Sequence, residues 1–226
     1  MSNSEAAPQV VLASQSPSRL SILRSAGVEP LVLPAGVDED AEVATLDSPT
    51  PAETVQHLAH AKARAVVRQR RAEIPEHSLV IGGDSMLLLD GVLQGKPHTA
   101  EETIRRWERQ RGKVAELITG HAVLYVGSAD EENEEQAAAR EPYVEVSTTR
   151  VHFADVSDRD IAAYAATGEP WECAGAFTLE ALGGWFIERI EGDPSSVIGL
   201  SLPVIRRASA HFGYPVSSLW HRGALG

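Results

Sequence analysis

The residues Val80-Ile81-Gly82-Gly83-Asp84-Ser85 place one carboxylate and two glycines within an apolar run. An ionised aspartate inside an apolar strand is costly unless another group compensates its charge. The glycines leave room for such a group to approach the backbone closely. The pattern therefore indicates either a functional carboxylate or a buried aspartate that backbone amides satisfy.

A hairpin is predicted directly after this run, and it ends in Gly95-Lys96-Pro97. Asp90-Gly91 suits the two-residue loop that reverses a chain between antiparallel strands. The reversal can bring Lys96 near Asp84. A carboxylate beside a lysine in a glycine-lined place suits a metal ion and a phosphate group. The alternative is a lysine exposed on the surface.

The composition describes an acidic chain with enough residues for a substantial core. Its 226 residues carry a formal net charge of −12. This length corresponds to one large domain or two small lobes. Lysine and arginine form no block that resembles a basic binding face, so we expect no nucleic-acid polymer as a partner. Any polyanionic substrate must then meet a few local cations and a metal ion.

The same sequence predicts where the chain resides. No run of about 18 apolar residues occurs, so we expect no membrane span and no membrane partner. Residues 1–9 predict a disordered tail and not a signal peptide, and residues 214–226 predict a C-terminal tail. The single cysteine, Cys173, excludes an internal disulfide framework and fits a reducing cytoplasm. A catalytic thiol is not expected, because small buried cysteines are common.

An anion-binding helix start is predicted near the N-terminus. Val10-Val11-Leu12-Ala13 forms a short buried strand, and Ser16 and Pro17 then suit the N-cap and the first position of a helix. Such a start presents free N–H groups and the positive end of the helix dipole. Ser14 and Arg19 add a hydroxyl and a guanidinium. Ordinary capping with an exposed arginine is the equally supported alternative.

Two further candidate groups follow. A strand over 30–33 runs into Asp38-Glu39-Asp40, which is either a solvated acidic loop or the source of a metal ligand. Thr50-Pro51-Ala52-Glu53 is a capping box that starts a helix reaching about Arg71. Lys62 falls on the apolar stripe of this helix. It either extends along the surface to water or points into a cleft, and we favour the cleft.

The remaining chain alternates helices and strands without an internal repeat. An acidic loop is predicted over 127–142, and a Gly- and Ala-rich loop over 171–182 carries two candidate contact residues, Phe177 and Glu180. This order predicts a single α/β domain over 10–213, with a mixed sheet divided into two lobes around a cleft. The other predicted elements are helices over 99–112 (opened by a second capping box, Thr99-Ala100-Glu101-Glu102), 157–168 and 202–212, strands over 114–119, 122–126, 144–153 and 184–190, and a loop over 192–199.

Several of these stretches together resemble the Maf family of nucleotide pyrophosphatases, once called septum-formation inhibitors. The family's opening Leu-Ala-Ser-x-Ser-Pro-Arg-Arg is similar to Leu12–Arg19, its Gly-Ala-Asp-Thr to Gly82–Ser85, and its Gly-Lys-Pro to Gly95–Pro97. The resemblance covers nearly the whole chain, over 10–212. Further matches are Asp38-Glu39, Ala61-Lys62-Ala63, Tyr164–Glu169, Ala174-Gly175-Ala176 and Glu188–Leu202.

The resemblance implies an elongated mixed sheet with flanking helices, two lobes around a nucleotide-binding cleft, and a homodimer. It also implies hydrolysis of a nucleoside triphosphate to the monophosphate and pyrophosphate, with Mg²⁺ or Mn²⁺. Asp84 would be the general base and, with Glu39, a metal ligand. The phosphate contacts implied by the resemblance are Ser14, Arg19, Lys62 and Lys96.

Two positions depart from the family pattern. Ser18 replaces the first arginine of the pair, which removes one phosphate cation. Glu180 stands where one branch has the glutamine of a Gly-Ile-Gln-Gly loop. A carboxylate only accepts hydrogen bonds, so a substrate-binding Glu180 predicts a base with adjacent donors, such as guanine or a methylated guanine, stacked on Trp185 or Phe177. A solvent-facing Glu180 that contacts no base is the alternative.

Two other functions fit the same residues. One is a regulatory protein that binds a nucleotide or a division partner without turnover, and the other is a phosphomonoesterase. The combination of Asp84, Lys62 and Lys96 favours an enzyme. Release of pyrophosphate from a triphosphate would separate the predicted pyrophosphatase from a phosphomonoesterase, which releases phosphate.

Overall fold

A mixed sheet with helices against both faces organises the chain. A computed structural model describes residues 7–128 and 141–221. The strands are β1 (Gln9–Leu12), β2 (Leu31–Val32), β3 (Ser78–Leu89), β4 (Val92–Gln94), β5 (Val114–Val126), β6 (Tyr143–Phe153) and β7 (Ile187–Glu191). The helices are α1 (Pro17–Ser25), α2 (Glu39–Val43), α3 (Pro51–Arg70), α4 (Ala100–Gln110), α5 (Asp158–Ala166), α6 (Pro194–Ile198) and α7 (Leu202–His211). The predicted α/β fold with a mixed sheet and flanking helices is confirmed.

The seven strands lie in the order β2-β1-β3-β5-β6-β7, with β4 also paired to β3. β1 runs parallel to β2 and to β3, and all other pairs are antiparallel. β3 and β5 form the centre of the sheet, and in their register Asp84 lies opposite Gly120. The apolar run Val80–Ser85 therefore lies within β3, a central strand of the sheet.

One edge of β3 is open over Gly82–Met86. β1 pairs with β3 from Ser78 to Ile81, and β4 pairs with it from Leu87 to Leu89. Both use the edge opposite β5, so the intervening residues have β5 as their one strand neighbour in the part of the chain that the structure describes. The segments that follow β1 and β4 consequently meet at this opening.

Two glycines bring α3 close to the sheet. A Cβ atom at Gly82 would overlap the carbonyl oxygen of Ala59, and one at Gly120 would overlap that of Val55. Both carbonyl groups belong to α3. Glycine at these two positions therefore lets the helix backbone rest directly on β3 and β5.

On the opposite face, the helices cover the sheet in two apolar clusters. One cluster joins Ile81 to α1 and α7, and the other joins Leu87 to α4 and α5 around the fully buried Trp107. Side chains alternate along a strand, so Gly83 and Ser85 lie on this face between the two clusters. These small residues separate the two halves of the core, and the Arg19 side chain lies against them.

The predicted helix caps differ in how completely they form. Thr50 and Glu53 make the reciprocal capping box that opens α3. At the start of α4, Thr99 accepts a hydrogen bond from the Glu102 backbone N–H, but the Glu102 carboxylate binds Arg106 instead of turning back. The second box is therefore only half formed, because an arginine one turn along competes for the carboxylate.

Two strand boundaries were predicted wrongly. β5 runs without a break from Val114 to Val126, because Gly120 lies under α3 instead of ending a strand. β7 begins only at Ile187, because residues 182–186 form a 3₁₀ turn. Glycine thus marks a close approach in one place and a turn in the other.

Two predicted loops contain short helices. Asp38 caps α2 by accepting a hydrogen bond from the Ala41 backbone N–H, so the acidic stretch begins a helix. Asp193 caps α6 in the same way by accepting from the Ser195 backbone N–H, within the loop predicted over 192–199. Aspartate is a strong N-cap, and its position before each helix is the signal that was missed.

The ends of the chain contribute to the core in part. Leu219, within the C-terminal tail predicted from residue 214, is buried among core residues.

No helix among residues 7–128 and 141–221 is long and apolar enough to cross a membrane. The parts of the predicted tails and acidic loop that lie outside the described residues are 1–6, 129–140 and 222–226.

A buried neutral histidine joins β5 to the start of α7. His121 is fully buried, and its Nε2 accepts a hydrogen bond from the Ser201 backbone N–H at 2.8 Å. Its Nδ1 lies 3.3 Å from the Glu145 carbonyl oxygen, so Nδ1 carries the proton. Burial lowers the pKa of His121 to about 4.

The free energy of unfolding should therefore fall as the pH drops from 6.5 towards 4. The histidine of the unfolded chain protonates near about pH 6.5, whereas the folded protein keeps His121 neutral down to its pKa of about 4. The free energy of unfolding should therefore decrease by about 3 kcal/mol as the pH falls from about 6.5 to about 4. In urea unfolding, the stability advantage of the wild type over His121→Gln should shrink by that amount towards pH 4. Parallel pH profiles would contradict this assignment.

Candidate functional site

Seven of the residues predicted to contact substrate or metal line a single cleft. The cleft has a volume of about 1550 Å³ and lies at the open edge of β3. It is bordered by the segments that follow β1 and β4. The seven residues are Ser14, Arg19, Glu39, Lys62, Asp84, Lys96 and Glu180.

Lys62 bridges two carboxylates inside this cleft. Its ammonium lies 2.6 Å from Asp84 Oδ1 and 2.7 Å from Glu39 Oε1. The side chains of Lys62 and Asp84 are only 12% and 8% exposed, so this ion pair is largely removed from water. The close contact between α3 and β3 places the lysine over the strand, on the inner face of its helix.

Asp84 has one paired and one unpaired oxygen. Oδ1 accepts from Lys62, whereas Oδ2 is buried and has no hydrogen-bond partner among residues 7–128 and 141–221. Burial raises the pKa of Asp84, although the positive charges of Lys62 and Arg19 oppose the rise. The unpaired oxygen can therefore accept a proton or contact a cation.

Arg19 ties the start of α1 to other parts of the cleft. Its guanidinium donates from Nη1 to Ser14 Oγ at 3.1 Å, from Nη2 to Ser85 Oγ at 3.3 Å and from Nε to the Gly199 carbonyl at 2.8 Å. Ser16 caps the helix. Burial lowers the pKa of Arg19, but a guanidinium remains charged at neutral pH. The helix start, the hydroxyls and the guanidinium together suit an anion.

Lys96 lines the cleft from the loop after β4. Its ammonium lies 3.3 Å from Glu172 Oε2, and both side chains are more than half exposed. The sequence suggested that the hairpin would bring Lys96 to Asp84. Instead, Lys62 contacts Asp84, and Lys96 pairs with a glutamate on the cleft wall.

Glu180 stands where the cleft joins a smaller cavity of about 480 Å³, which we call the annex. Pro17, Ser18 and Ile198 line both spaces, so the annex lies directly beside the cleft. The Glu180 side chain is exposed, and its Oε2 accepts a hydrogen bond from the Leu179 backbone N–H at 3.1 Å. The serine that replaces the family's arginine thus lies at the mouth of the annex.

The two aromatic residues considered as stacking faces lie in different environments. Phe177 is buried in the core and also lines the cleft. Trp185 is 85% exposed and is not among the residues that line the cleft or the annex. Only Phe177 is therefore placed where a bound molecule in the cleft could meet it.

Three residues that sequence reasoning gave no role shape the cleft. Arg106 donates to the Gly95 carbonyl at 2.6 Å and so holds the loop that carries Lys96. Glu172 pairs with Lys96, and Glu169 binds several groups of the opposite wall. Glu169 lay within a segment matched to the family, but Arg106 gave no signal, because its spacing from Glu102 is that of an ordinary surface pair.

The site fits a divalent cation that the substrate helps to hold. Glu39 and Asp84 come together around the Lys62 ammonium, and Asp84 Oδ2 is left unpaired. No group of three or more His, Cys, Asp or Glu side chains converges in the described ranges 7–128 and 141–221. Mg²⁺ commonly takes one or two carboxylates with water and substrate phosphates. The donor set fits that mode and not a complete protein cage.

Comparison with known proteins decides the family. The family model described as "Maf-like protein" matches residues 9–212. The chain belongs to the Maf-like protein family. The resemblance inferred from the sequence motifs is confirmed, and the matched region includes every residue of the cleft described above.

Curated relatives of this Maf-like chain are similar over nearly its full length. A protein of Corynebacterium aurimucosum named nucleoside triphosphate pyrophosphatase is 62% identical over 94% of this chain and 98% of the relative. A protein of Corynebacterium jeikeium with the same name is 59% identical over 94% of this chain and 99% of the relative. Among solved structures, the Staphylococcus aureus Ham1 protein is 16% identical, with a TM-score of 0.38 over 65% of this chain and 72% of that one.

Lys62→Met should lower the free energy of unfolding of this Maf-like protein by about 3 kcal/mol at neutral pH, because the variant leaves the buried Asp84 charge unpaired. Without the ammonium the pKa of Asp84 rises further, and ionisation then costs stability as the pH increases through that pKa. The loss should therefore be larger at about pH 7 than at about pH 5, as measured by urea unfolding.

Asp84→Asn is the matched control for this prediction. It removes the other charge of the pair, but Lys62 keeps its contact with Glu39. Its loss of stability should be smaller than that of Lys62→Met at neutral pH. An equal loss for Lys62→Met at both pH values would show that the ion pair does not govern the effect.

Proposed function

We propose that this Maf-like protein is a nucleoside triphosphate pyrophosphatase, a hydrolase that splits the bond between the α- and β-phosphates. The observation that carries the proposal is the buried Asp84 carboxylate, with one oxygen held by Lys62 and the other unpaired, in a cleft also lined by Arg19 and Lys96. The names of the curated relatives support the same activity.

In the proposed reaction, Asp84 is the general base. Water attacks the α-phosphorus and forms a new P–O bond, while the α–β anhydride bond breaks and the bridging oxygen leaves with pyrophosphate. Asp84 Oδ2 accepts the proton that the water loses. Its raised pKa suits this role, because a carboxylate that is a stronger base takes a proton more readily.

The cations of the cleft bind and neutralise the triphosphate. Arg19, Lys62 and Lys96 supply positive side chains, and the start of α1 supplies backbone N–H groups beside Ser14. Positioning and electrostatic stabilisation provide most of the catalysis in phosphoryl transfer. These cations share the cleft with a larger number of carboxylates, so binding a polyanion here also calls for the neutralisation that a divalent cation would supply.

Glu39 and Asp84 are the residues that would hold Mg²⁺ or Mn²⁺. Such an ion, when bound, supplies charge neutralisation on the phosphates and makes water more acidic. Lys62 contacts one oxygen of each carboxylate and thereby keeps the two like charges in place. Asp84 Oδ2 remains available beside them.

The annex is the space proposed for the nucleoside end of the substrate. Its walls combine apolar residues such as Ile22 and Leu202 with serine hydroxyls, and Glu180 stands at its mouth. A carboxylate at this point favours a base with adjacent N–H donors, which includes guanine and its modified forms. A thymine or uracil carbonyl would leave the carboxylate unpaired.

Other expectations remain predictions. A homodimer is expected from the family resemblance, and a cytoplasmic location is expected from the single cysteine. Preference for modified nucleotides is expected from Glu180 alone.

The activity can be tested by incubating the protein with Mg²⁺ and a panel of nucleoside triphosphates and measuring pyrophosphate. The wild type should release pyrophosphate. Asp84→Asn should keep the fold but lower kcat by about 10²–10⁴-fold, because the amide cannot act as the base. Glu188→Gln, an equivalent change at an exposed position of β7, should leave kcat unchanged. Release of phosphate would indicate a phosphomonoesterase, and binding without turnover would indicate a regulatory protein.

Removal of divalent metal should abolish turnover. The triphosphate carries concentrated negative charge, and the cleft adds the carboxylates of Glu39 and Asp84 to it. Excess chelator should therefore stop pyrophosphate release, and added Mg²⁺ or Mn²⁺ should restore it. Full activity in chelator would show that Lys62, Arg19 and Lys96 neutralise the substrate unaided.

A further inference from the structure

One carboxylate, that of Glu169, is the centre of a hydrogen-bond network in the cleft wall. Its Oε1 accepts from the Tyr164 hydroxyl at 3.1 Å, the Thr178 hydroxyl at 2.5 Å and the Gly183 backbone N–H at 3.0 Å. Its Oε2 accepts from the Leu182 backbone N–H at 3.2 Å. Hydrogen bonds to an ionised group are stronger than those between neutral groups.

Three of these four donors lie at the ends of the wall loop, residues 178–183. Thr178 begins the loop, and Leu182 and Gly183 end it, so one side chain holds the two ends together. The Thr178 backbone N–H also donates to the Tyr164 hydroxyl at 3.2 Å. A Cβ atom at Gly183 would overlap the Tyr164 hydroxyl and the Thr178 backbone, so the two ends of the loop pack closely together and against Tyr164.

Glu180 lies between these anchored ends. Its own side chain is exposed, and within residues 7–128 and 141–221 it accepts a hydrogen bond from the neighbouring Leu179 backbone N–H and makes no comparable network. Its position at the junction of cleft and annex therefore depends on how the loop is held. Glu169 itself lines the cleft, but its hydrogen-bond partners are Tyr164 and the wall loop and not Asp84, Lys62 or Arg19.

We propose that Glu169 is a positioning residue, which fixes the wall loop so that Glu180 meets the nucleoside end of the substrate. This inference rests on the proposed pyrophosphatase function and adds to it a determinant of substrate binding. Glu169 acts through the loop and not on the reacting phosphorus. Changing it should alter binding of the nucleotide more than the chemical step.

Glu169→Gln tests the inference with little change of shape. The amide places an NH₂ group where the carboxylate accepts from hydroxyl and N–H donors, so at least one of these hydrogen bonds is lost. The KM for GTP should rise about tenfold, because the bonds lost are charge-assisted, while kcat stays within about twofold of the wild type. Glu188→Gln serves as the matched glutamate-to-glutamine control and should change neither constant.

A double-mutant cycle with Glu180→Gln shows whether the effect passes through the loop. If Glu169 acts by holding Glu180, the second substitution should raise KM in the wild type but add little in the Glu169→Gln background. A purely structural role would instead give additive effects and a proportional loss of kcat. The inference would be overturned by additive effects in the double variant, by an unchanged KM in Glu169→Gln, or by a loss confined to kcat.

Tyr164→Phe keeps the inference testable if Glu169→Gln does not fold. It removes one donor to Glu169 and the acceptor of the Thr178 N–H, but keeps the aromatic ring that packs against Trp107. KM should rise in this variant too, by less than in Glu169→Gln. Failure of the wild type to release pyrophosphate would overturn the proposed function. Normal wild-type turnover with unchanged KM in the variants would overturn only the role of Glu169.

Discussion

The contact between α3 and the centre of the sheet governs the candidate site. An aspartate in a buried strand requires a compensating charge, and that charge comes from a different element, at Lys62. The lysine reaches Asp84 because Gly82 and Gly120 let the helix backbone lie directly on β3 and β5. The pairing of Lys62 with Asp84 therefore depends on the absence of a side chain at Gly82 and Gly120.

The open edge of β3 gives the charged pair its access to solvent and ligand. Paired strands on both sides would have enclosed Asp84 in the sheet, but β1 ends before it and β4 begins after it. The segments leaving these two strands carry Ser14 and Lys96 into the same opening. A molecule bound in this opening would thus meet groups from the start of α1, from α3 and from the loop after β4.

Sequence reasoning identified the residues of the cleft better than their contacts. A buried carboxylate and a lysine on an apolar helix stripe are visible as violations of patterning, and both proved to line the cleft. Which lysine compensates Asp84 depends on how closely α3 packs against the sheet. The close packing depends on Gly120, and the sequence around Gly120 predicts a break between two strands instead. The hydrogen-bond network of Glu169 was equally invisible, because its four donors include backbone groups from another segment.

The glycines under α3 have a consequence at the level of the gene. Every missense change of a glycine codon adds at least one side-chain atom, and at Gly82 and Gly120 that atom would occupy the position of a helix carbonyl oxygen. In a library of all single substitutions, these two codons should be depleted by loss of folded protein. Replacement of Asp84 by asparagine should instead be depleted mainly in a selection for activity. Selections for abundance and for activity, applied to one library, would thus separate residues required for folding of the cleft from residues required for activity.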